Sequence, residues 1–273
     1  MNYAIIVSEH DPAGLNIKEC LLELYDFKEI GVFDTHPVYS FGDNVRLYTL
    51  QGGSVFAEDI DKKIDADFFI FATRHQSKEG VHSLSCHAPG NWNRAEYGGK
   101  EKELCVAPAL MLKKAYLELK KFKDDVPNHN ITLECTHHGP YLEKPIMFIE
   151  IGSTAEHWGN RQAGEVIAHT IIKLVDGSEL NGQRIAFGIG GPHYCNNFDK
   201  ILERTGIAIG HVCPKYSLES LDEIMINQAI SKTKGNVDFV LLDWKGLGKE
   251  KERIKEILDK IGVEMKRADQ VLK

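Results

Sequence analysis

The chain reads as an α/β protein with a mainly parallel or mixed sheet flanked by helices. Three observations predict this. Short apolar runs recur along its 273 residues, most of them continuous rather than alternating, as strands buried on both faces should be. Stretches with apolar residues at three- and four-residue spacing fall between several of them. Capping residues stand where those stretches begin and end.

Taken in order, "YAIIVS" (3–8) is a first buried strand, and "DPAGLNIKECLLELY" is the helix after it, with Asp11 as N-cap and Pro12 as the first helical residue. Further strands are expected at "VRLYTL" (45–50), "DFFIFAT" (67–73), "NITLECT" (130–136), "PIMFIEIG" (145–152), "RIAFGIG" (184–190), "GIAIGHV" (206–212) and "VDFVLLDW" (237–244). Ala163, Val166, Ile167, Thr170, Ile171 and Leu174 form one helical stripe. "SLESLDEIMINQAISKT" (217–233) opens like a helix, and "GKEKERIKEILDKIG" (248–262) is amphipathic and stops at a glycine. Residues 74 to 107 show no periodicity and are rich in Gly, Ser, His and Asn, so a long functional loop is expected there within one domain spanning 1–273.

With 42% hydrophobic and 27% charged residues, the chain is of the globular kind. The six cysteines are scattered without a C-x-x-C pair, which indicates neither a disulfide framework nor a zinc ribbon. No apolar run is long enough to cross a bilayer, and the acidic Glu9 and Asp11 after the first strand do not suit a signal peptide, so a cytoplasmic protein is expected. A net charge of −7 argues against coating nucleic acid non-specifically. Local basic stretches remain: "KKAYLELKKFK" (113–123) holds five lysines against one glutamate, and the last 29 residues hold nine Lys or Arg against six acids. Both also suit the solvated face of an amphipathic helix.

Ligand sites of open α/β sheets form beyond the carboxyl ends of strands. Polar residues recur at just those places: Arg74 and His75, His137 and His138, Glu150 with Ser153 and His157, His193, His211, and Asp243 with Trp244. Imidazole and carboxylate are the usual ligands of catalytic zinc, which activates water toward a carbonyl. His87, His137, His138, His157 and His193 are the expected metal ligands, with His75, His137, His138 and Glu150 as catalytic groups. Each histidine taken singly has a structural alternative: His138 can bond a turn, His157 can cap a helix, and His193 can lie on the surface. A partly buried doublet such as His137-His138 is costly unless it binds something. Ser83, Ser85 and Cys86 offer nucleophiles, but no G-x-S-x-G elbow is present. Glycines follow the strands in "GIGGPHY" (188–194) and "EIGSTAEHW" (150–158), where Gly191, Ser153 or backbone amides can meet an oxyanion or a terminal phosphate. Neither a P-loop nor a Rossmann fingerprint is matched.

The ordered blocks "TRHQSKEGVHSLSCHAPGNW", "CTHHGP", "EIGSTAEHW", "GIGGPHY" and "HVCPKY", from about residue 73 to 216, resemble the D-aminoacyl-tRNA deacylase family of the archaeal and plant type. The resemblance implies a zinc-dependent hydrolase that cleaves the ester between a D-amino acid and the terminal ribose of tRNA. It also implies a fold related to the phosphorylase/peptidyl-tRNA hydrolase group. On that basis Glu150 or Glu156 would hold the substrate ammonium, and Trp92 or Trp158 would stack on the terminal adenine. Arg74, Ser85, Ser153, Gly191 and Lys215 are further expected substrate contacts, and the lysine-bearing segments 113–123 and 245–267 would meet the acceptor stem. Two other readings stay open: a metal-dependent hydrolase of a small acylated amino acid or nucleoside derivative, and a non-catalytic tRNA-binding module.

Overall fold

A computed structural model describes residues 1–77 and 80–273; Lys78 and Glu79, inside the expected loop, lie outside the described residues. The first half runs β1 (Tyr3–Ser8), α1 (Pro12–Leu24), β2 (Lys28–Phe33), β3 (His36–Phe41), β4 (Val45–Leu50), β5 (Phe68–Arg74), β6 (Ser83–His87), α2 (Ala109–Lys121) and β7 (Asn130–Leu133). The second runs β8 (Ile146–Gly152), α3 (Ala155–Trp158), α4 (Arg161–Val175), β9 (Arg184–Ile189), α5 (Asn196–Arg204), β10 (Ile207–Cys213), α6 (Glu223–Ser231), β11 (Phe239–Leu242), α7 (Lys251–Ile261), β12 (Met265–Arg267) and α8 (Ala268–Val271).

Two sheets result. The larger has the order β2-β3-β4-β1-β5-β8-β6-β7, and the smaller has β10-β9-β11-β12. In the larger, β4, β1, β5 and β8 are parallel, β6 reverses against β8, and β7 runs with β6. The smaller sheet is parallel throughout. The α/β class with a mixed sheet is therefore what the sequence predicts. One cluster of buried side chains runs from β1, β5 and β8 through α1, α2 and α4 to Ile207, Ile209, Phe239 and Leu241 of the smaller sheet.

Asp11 and Pro12 start α1 as expected. The Asp11 carboxylate accepts from Gly14 N at 2.9 Å and also from Arg74 N at 2.9 Å, which ties the helix start to the end of β5. A Cβ on Gly14 would lie 2.8 Å from the Ala72 carbonyl, so only glycine lets α1 pack this closely on the strand.

Several expectations need correction. Region 74–107 is not an uninterrupted loop: it contains β6, whose five residues are all buried. "SLSCH" sends Leu84 and Cys86 into the core and His87 to the site, and its serines hide the strand from an apolar count. Strands β2 and β3 form an antiparallel hairpin that the sequence hides, since β2 is almost wholly exposed and carries no apolar period. The strand expected over 130–136 stops at Leu133. Helix α6 starts only at Glu223, because the Asp222 side chain caps Met225 N; residues 215–220 form a 3-10 turn instead.

The lysines of 113–123 are not a free basic face. Lys113 donates to the carbonyls of Thr205 and Ile207, and Lys114 pairs with Asp176 at 3.0 Å. Lys120 pairs with Glu203, Lys121 with Glu118, and Lys123 bonds the His129 carbonyl. Lys113, Lys114 and Lys123 are drawn into the protein's own structure, while Lys121 stays largely exposed.

His211 is likewise structural. Its Nε2–H donates to the Cys105 carbonyl at 3.0 Å, while Nδ1 faces the Thr136 hydroxyl at 3.1 Å, and that hydroxyl accepts from Val212 N. Burial, opposed by the carbonyl, pushes its pKa down to about 4. The unfolded chain takes up a proton near pH 6.5, the folded one only near 4, so this group's share of stability is lost as pH falls through that window. His211→Gln is expected to flatten the dependence between pH 6.5 and 4 by one proton, about 1.4 kcal/mol per pH unit. Urea unfolding at pH 7, 6 and 5 reads this, and an unchanged slope would show that His211 does not stay neutral in the fold.

Candidate metal centre

Strand register builds the site. Thr73 of β5 lies beside Glu150 of β8, and Glu150 lies across from Ser85 of β6; one row earlier stand Phe71, Phe148 and His87. Side chains alternate between faces, so Phe69, Phe71 and Thr73 share a face with Phe148, Glu150 and His87. That face is aromatic at its base, where the Phe71 and Phe148 rings stack at 4.9 Å and His87 stacks on Phe148 at 5.2 Å. It turns polar where it meets a cavity of about 1350 Å³. The opposite face carries Ala72, Ile149 and Cys86 into the core.

Among the described residues, five histidines and two glutamates converge here in overlapping groups: His75, Glu134, His137 and His193; His87, His137 and His138; and His87, Glu134 and Glu150. Within each group the possible ligand atoms lie within 4.8 Å of one another. His75 follows β5, Glu134 follows β7, and His193 comes from the turn after β9. The polar residues do not all lie at one end of a parallel sheet, as the sequence suggested. Because β6 and β7 oppose β5 and β8, His87 and Glu134 arrive from one direction while His75 and Glu150 arrive from the other.

The hydrogen bonds decide how these rings present themselves. His87, His137 and His138 each direct Nδ1 at a main-chain carbonyl, of Ala88 (3.2 Å), Cys135 (2.8 Å) and Gly139 (2.6 Å). A carbonyl only accepts, so each Nδ1 carries the hydrogen and each Nε2 keeps a lone pair. The three ring centroids lie 4.2, 4.9 and 4.4 Å apart. Neutral forms are favoured: burial and then neighbouring imidazoles lower the His137 pKa well below its usual value and bring His138 to about 4.

The carboxylates supply the charge. Glu150 accepts from the Thr73 hydroxyl at 2.7 Å and stands 3.3 Å from His75 Nδ1 and 3.6 Å from His87 Nε2. Glu134 accepts from His193 Nε2 at 2.9 Å and lies 3.2 Å from His75 Nδ1. Burial would push both carboxyls up, but these imidazole contacts hold both below their usual range. The same contacts outweigh burial at His75, whose pKa is raised, and at His193, raised to about 11 by Cys135 and Glu134. Buried without a hydrogen-bond partner are Glu134 Oε1, Glu150 Oε2 and the Nε2 atoms of His75 and His87. Lone pairs on imidazole beside ionised carboxylate, with orphaned atoms of both kinds, fit a divalent cation.

The remaining expected residues divide. Arg74, Ser153 and Trp158 line the cavity, with the Arg74 guanidinium 5.0 Å above the Trp158 ring and Trp158 Nε1 donating to the His75 carbonyl. His157 is corrected: it does not join the centre but faces outward against His82, its Nδ1 bonded to Thr154, because α3 turns it away from the ring that follows it. Ser85 is sealed inside the sheet at 0% exposure and cannot touch substrate. The Trp92 ring face is covered by Phe187 and its Nε1 is used by the Thr136 carbonyl, so stacking on a base is closed to it. Gly191 and Lys215 bond each other's backbone away from the cavity wall. Cys86 points into the core, where burial drives its thiol far up, which removes it as a nucleophile. Glu134 was missed, although a lone carboxylate in the apolar run "ITLEC", three residues before the histidine pair, was its signal.

Comparison with known proteins agrees over the whole length. A sequence profile described as D-aminoacyl-tRNA deacylase matches residues 62–266. A D-aminoacyl-tRNA deacylase of Thermococcus onnurineus (strain NA1) is 37% identical over 269 residues, covering 95% of this chain and 97% of that protein. One from Methanosarcina acetivorans is 35% identical over 280 residues, covering 98% and 92%. A crystal structure described as a conserved protein of unknown function superposes with a TM-score of 0.91 at 31% identity, covering 99% of this chain and 96% of that one. By sequence over nearly its full length, the chain belongs to the D-aminoacyl-tRNA deacylase family.

Proposed function

We propose that this deacylase hydrolyses the ester linking a D-amino acid to the terminal ribose of tRNA, in the cytoplasm, with zinc held by His87, His137 and His138 beside Glu150. The common tautomer of the three imidazoles carries the metal assignment, since each ring spends its N–H on a carbonyl and keeps Nε2 free. Zinc held there would supply Lewis acidity toward the ester carbonyl and bring the pKa of water toward neutrality.

The chain's own groups complete the reaction. Glu134 takes the proton as water oxygen bonds to the ester carbon. His193, bonded to Glu134 and facing the cavity, passes a proton to the departing ribose oxygen as the ester bond breaks. An aminoacyl ester is already activated, so one base and one donor are enough. Arg74 and Arg94 on the cavity wall meet phosphates of the acceptor end, and Trp158 offers the aromatic surface for the terminal adenine. A volume of 1350 Å³ exceeds the roughly 300–1,000 Å³ usual for small ligands and suits an aminoacyl group with its nucleoside. Among the described residues, no helix is long and apolar enough to cross a membrane.

The direct test is deacylation of matched D- and L-tyrosyl-tRNA before chelation, after it, and after zinc return. Selective loss of the D-ester that chelation stops and zinc restores is expected. Full activity after chelation sinks the metal assignment, and an intact D-ester with zinc-loaded protein sinks the substrate. Equal turnover of D-tyrosine methyl ester would favour the small-substrate hydrolase instead.

Glu134→Gln removes the base and keeps the shape. It should lower kcat about 10²–10⁴-fold with KM changed only a few-fold. A kcat within threefold of the parent protein would remove Glu134 from this role.

A further inference from the structure

Three histidines that the deacylation chemistry does not use meet in a second cavity. His82 immediately precedes β6, His129 immediately precedes β7, and His157 belongs to α3. They line a space of about 220 Å³ together with Asn128 and Gln162, and no acidic side chain is on its wall. The ring centroids stand 3.5 Å apart for His82 and His157, 6.0 Å for His82 and His129, and 6.5 Å for His129 and His157.

His129 is the observation that points to a ligand. It is 4% exposed, lines the cavity, and both its ring nitrogens are buried without a hydrogen-bond partner. A neutral imidazole carries one N–H and one lone pair, and a fold gains nothing by burying both unused. Burial, followed by His82 and His157, lowers its pKa to about 4, so the ring is in the ligating form at neutral pH. His157 bonds Thr154 Oγ1 through Nδ1 at 2.8 Å, which leaves Nε2 for another partner.

We propose that His82, His129 and His157 form a second, non-catalytic site for a borderline divalent transition-metal ion of the zinc, cobalt, nickel and copper class. Three neutral nitrogens without a carboxylate disfavour magnesium and calcium, which need oxygen donors. Nitrogen at about 2.0–2.1 Å in tetrahedral geometry sets ring centroids about 5 Å apart. The present separations bracket that value, so the ion draws His129 inward and parts His82 from His157 by side-chain rotation. His82 and His157 are only half-buried, so His82 can turn while the Thr154 bond holds His157. The site ties the starts of β6 and β7 to α3, whose next residue, Trp158, is part of the wall of the catalytic cavity.

The test counts metal and does not depend on the deacylase reading. Metal-free protein, His82→Asn, His157→Asn and His137→Asn are each saturated with Zn²⁺, and separately with Co²⁺, desalted and analysed for metal per chain. His82→Asn and His157→Asn avoid the buried His129, and circular dichroism of the metal-free forms verifies their fold. The parent protein should retain one more ion per chain than either His82→Asn or His157→Asn. The absorption that those two variants lose with Co²⁺ should remain in His137→Asn. Equal metal counts in the parent, His82→Asn and His157→Asn would overturn the site. So would absence from His137→Asn of the same Co²⁺ absorption that His82→Asn and His157→Asn lose, since that signal would then belong to the central cluster.

Discussion

Two carboxylates buried inside the sheet set the terms for everything around them. Glu134 and Glu150 are 1% and 2% exposed, and an ionised carboxylate moved out of water costs several kcal/mol unless positive charge and hydrogen bonds replace the solvent. His75 stands almost equally far from both, at 3.2 and 3.3 Å, while Thr73 bonds one and His193 the other. With one proton on His75 and one on His193, both carboxylates stay ionised. His137 and His138, whose pKa values burial lowers, stay neutral beside them. The cluster thus holds imidazoles of raised pKa against the carboxylates and imidazoles of lowered pKa next to them.

The reversal of β6 against β8 makes that arrangement possible. In a wholly parallel sheet the carboxyl ends form one rim, and functional side chains line a crevice along it. Here β6 is five residues long and β7 four, so strands entering from opposite directions end within a row or two of each other. The result is a site set into the sheet, with a floor of Phe71 and Phe148. That floor restricts water beneath the imidazoles, where electrostatic interactions are correspondingly stronger.

Much of this was legible in the sequence and some was not, for definite reasons. Continuous apolar runs located β1, β5, β8, β9, β10 and β11, because burial on both faces leaves a composition signal that needs no partner. His75, His137, His138, Glu150 and His193 could be collected as strand-end residues of the right chemistry, and His87 came from a stretch read as loop; they lie together. Glu134 was hidden because one carboxylate in "ITLEC" looks like an imperfection in a strand. His157 was misplaced because distance along the chain does not tell which side of α3 a ring faces. The β2–β3 hairpin is held by backbone pairing with mostly exposed side chains, so hydrophobic pattern could not show it. The lysines of α2 misled in the same way: charge was visible, but its partners Asp176, Glu203 and the carbonyls after α5 lie far along the chain.

The fate of those lysines bears on how an acidic protein handles a polyanion. The net charge is −7, and Lys113, Lys114 and Lys123 of the segment 113–123 are spent on the protein's own carbonyls and Asp176. At the cavity, Arg74 is held in place before any substrate arrives: its N–H is fixed by Asp11, its guanidinium donates to the His10 carbonyl and lies over Trp158. A pre-set cation loses little conformational freedom on meeting a phosphate, whereas mobile lysines on a broad face would bind any nucleic acid. The charge distribution therefore sets one fixed cation on the cavity wall, while the acidic remainder of the chain does not attract nucleic acid at large.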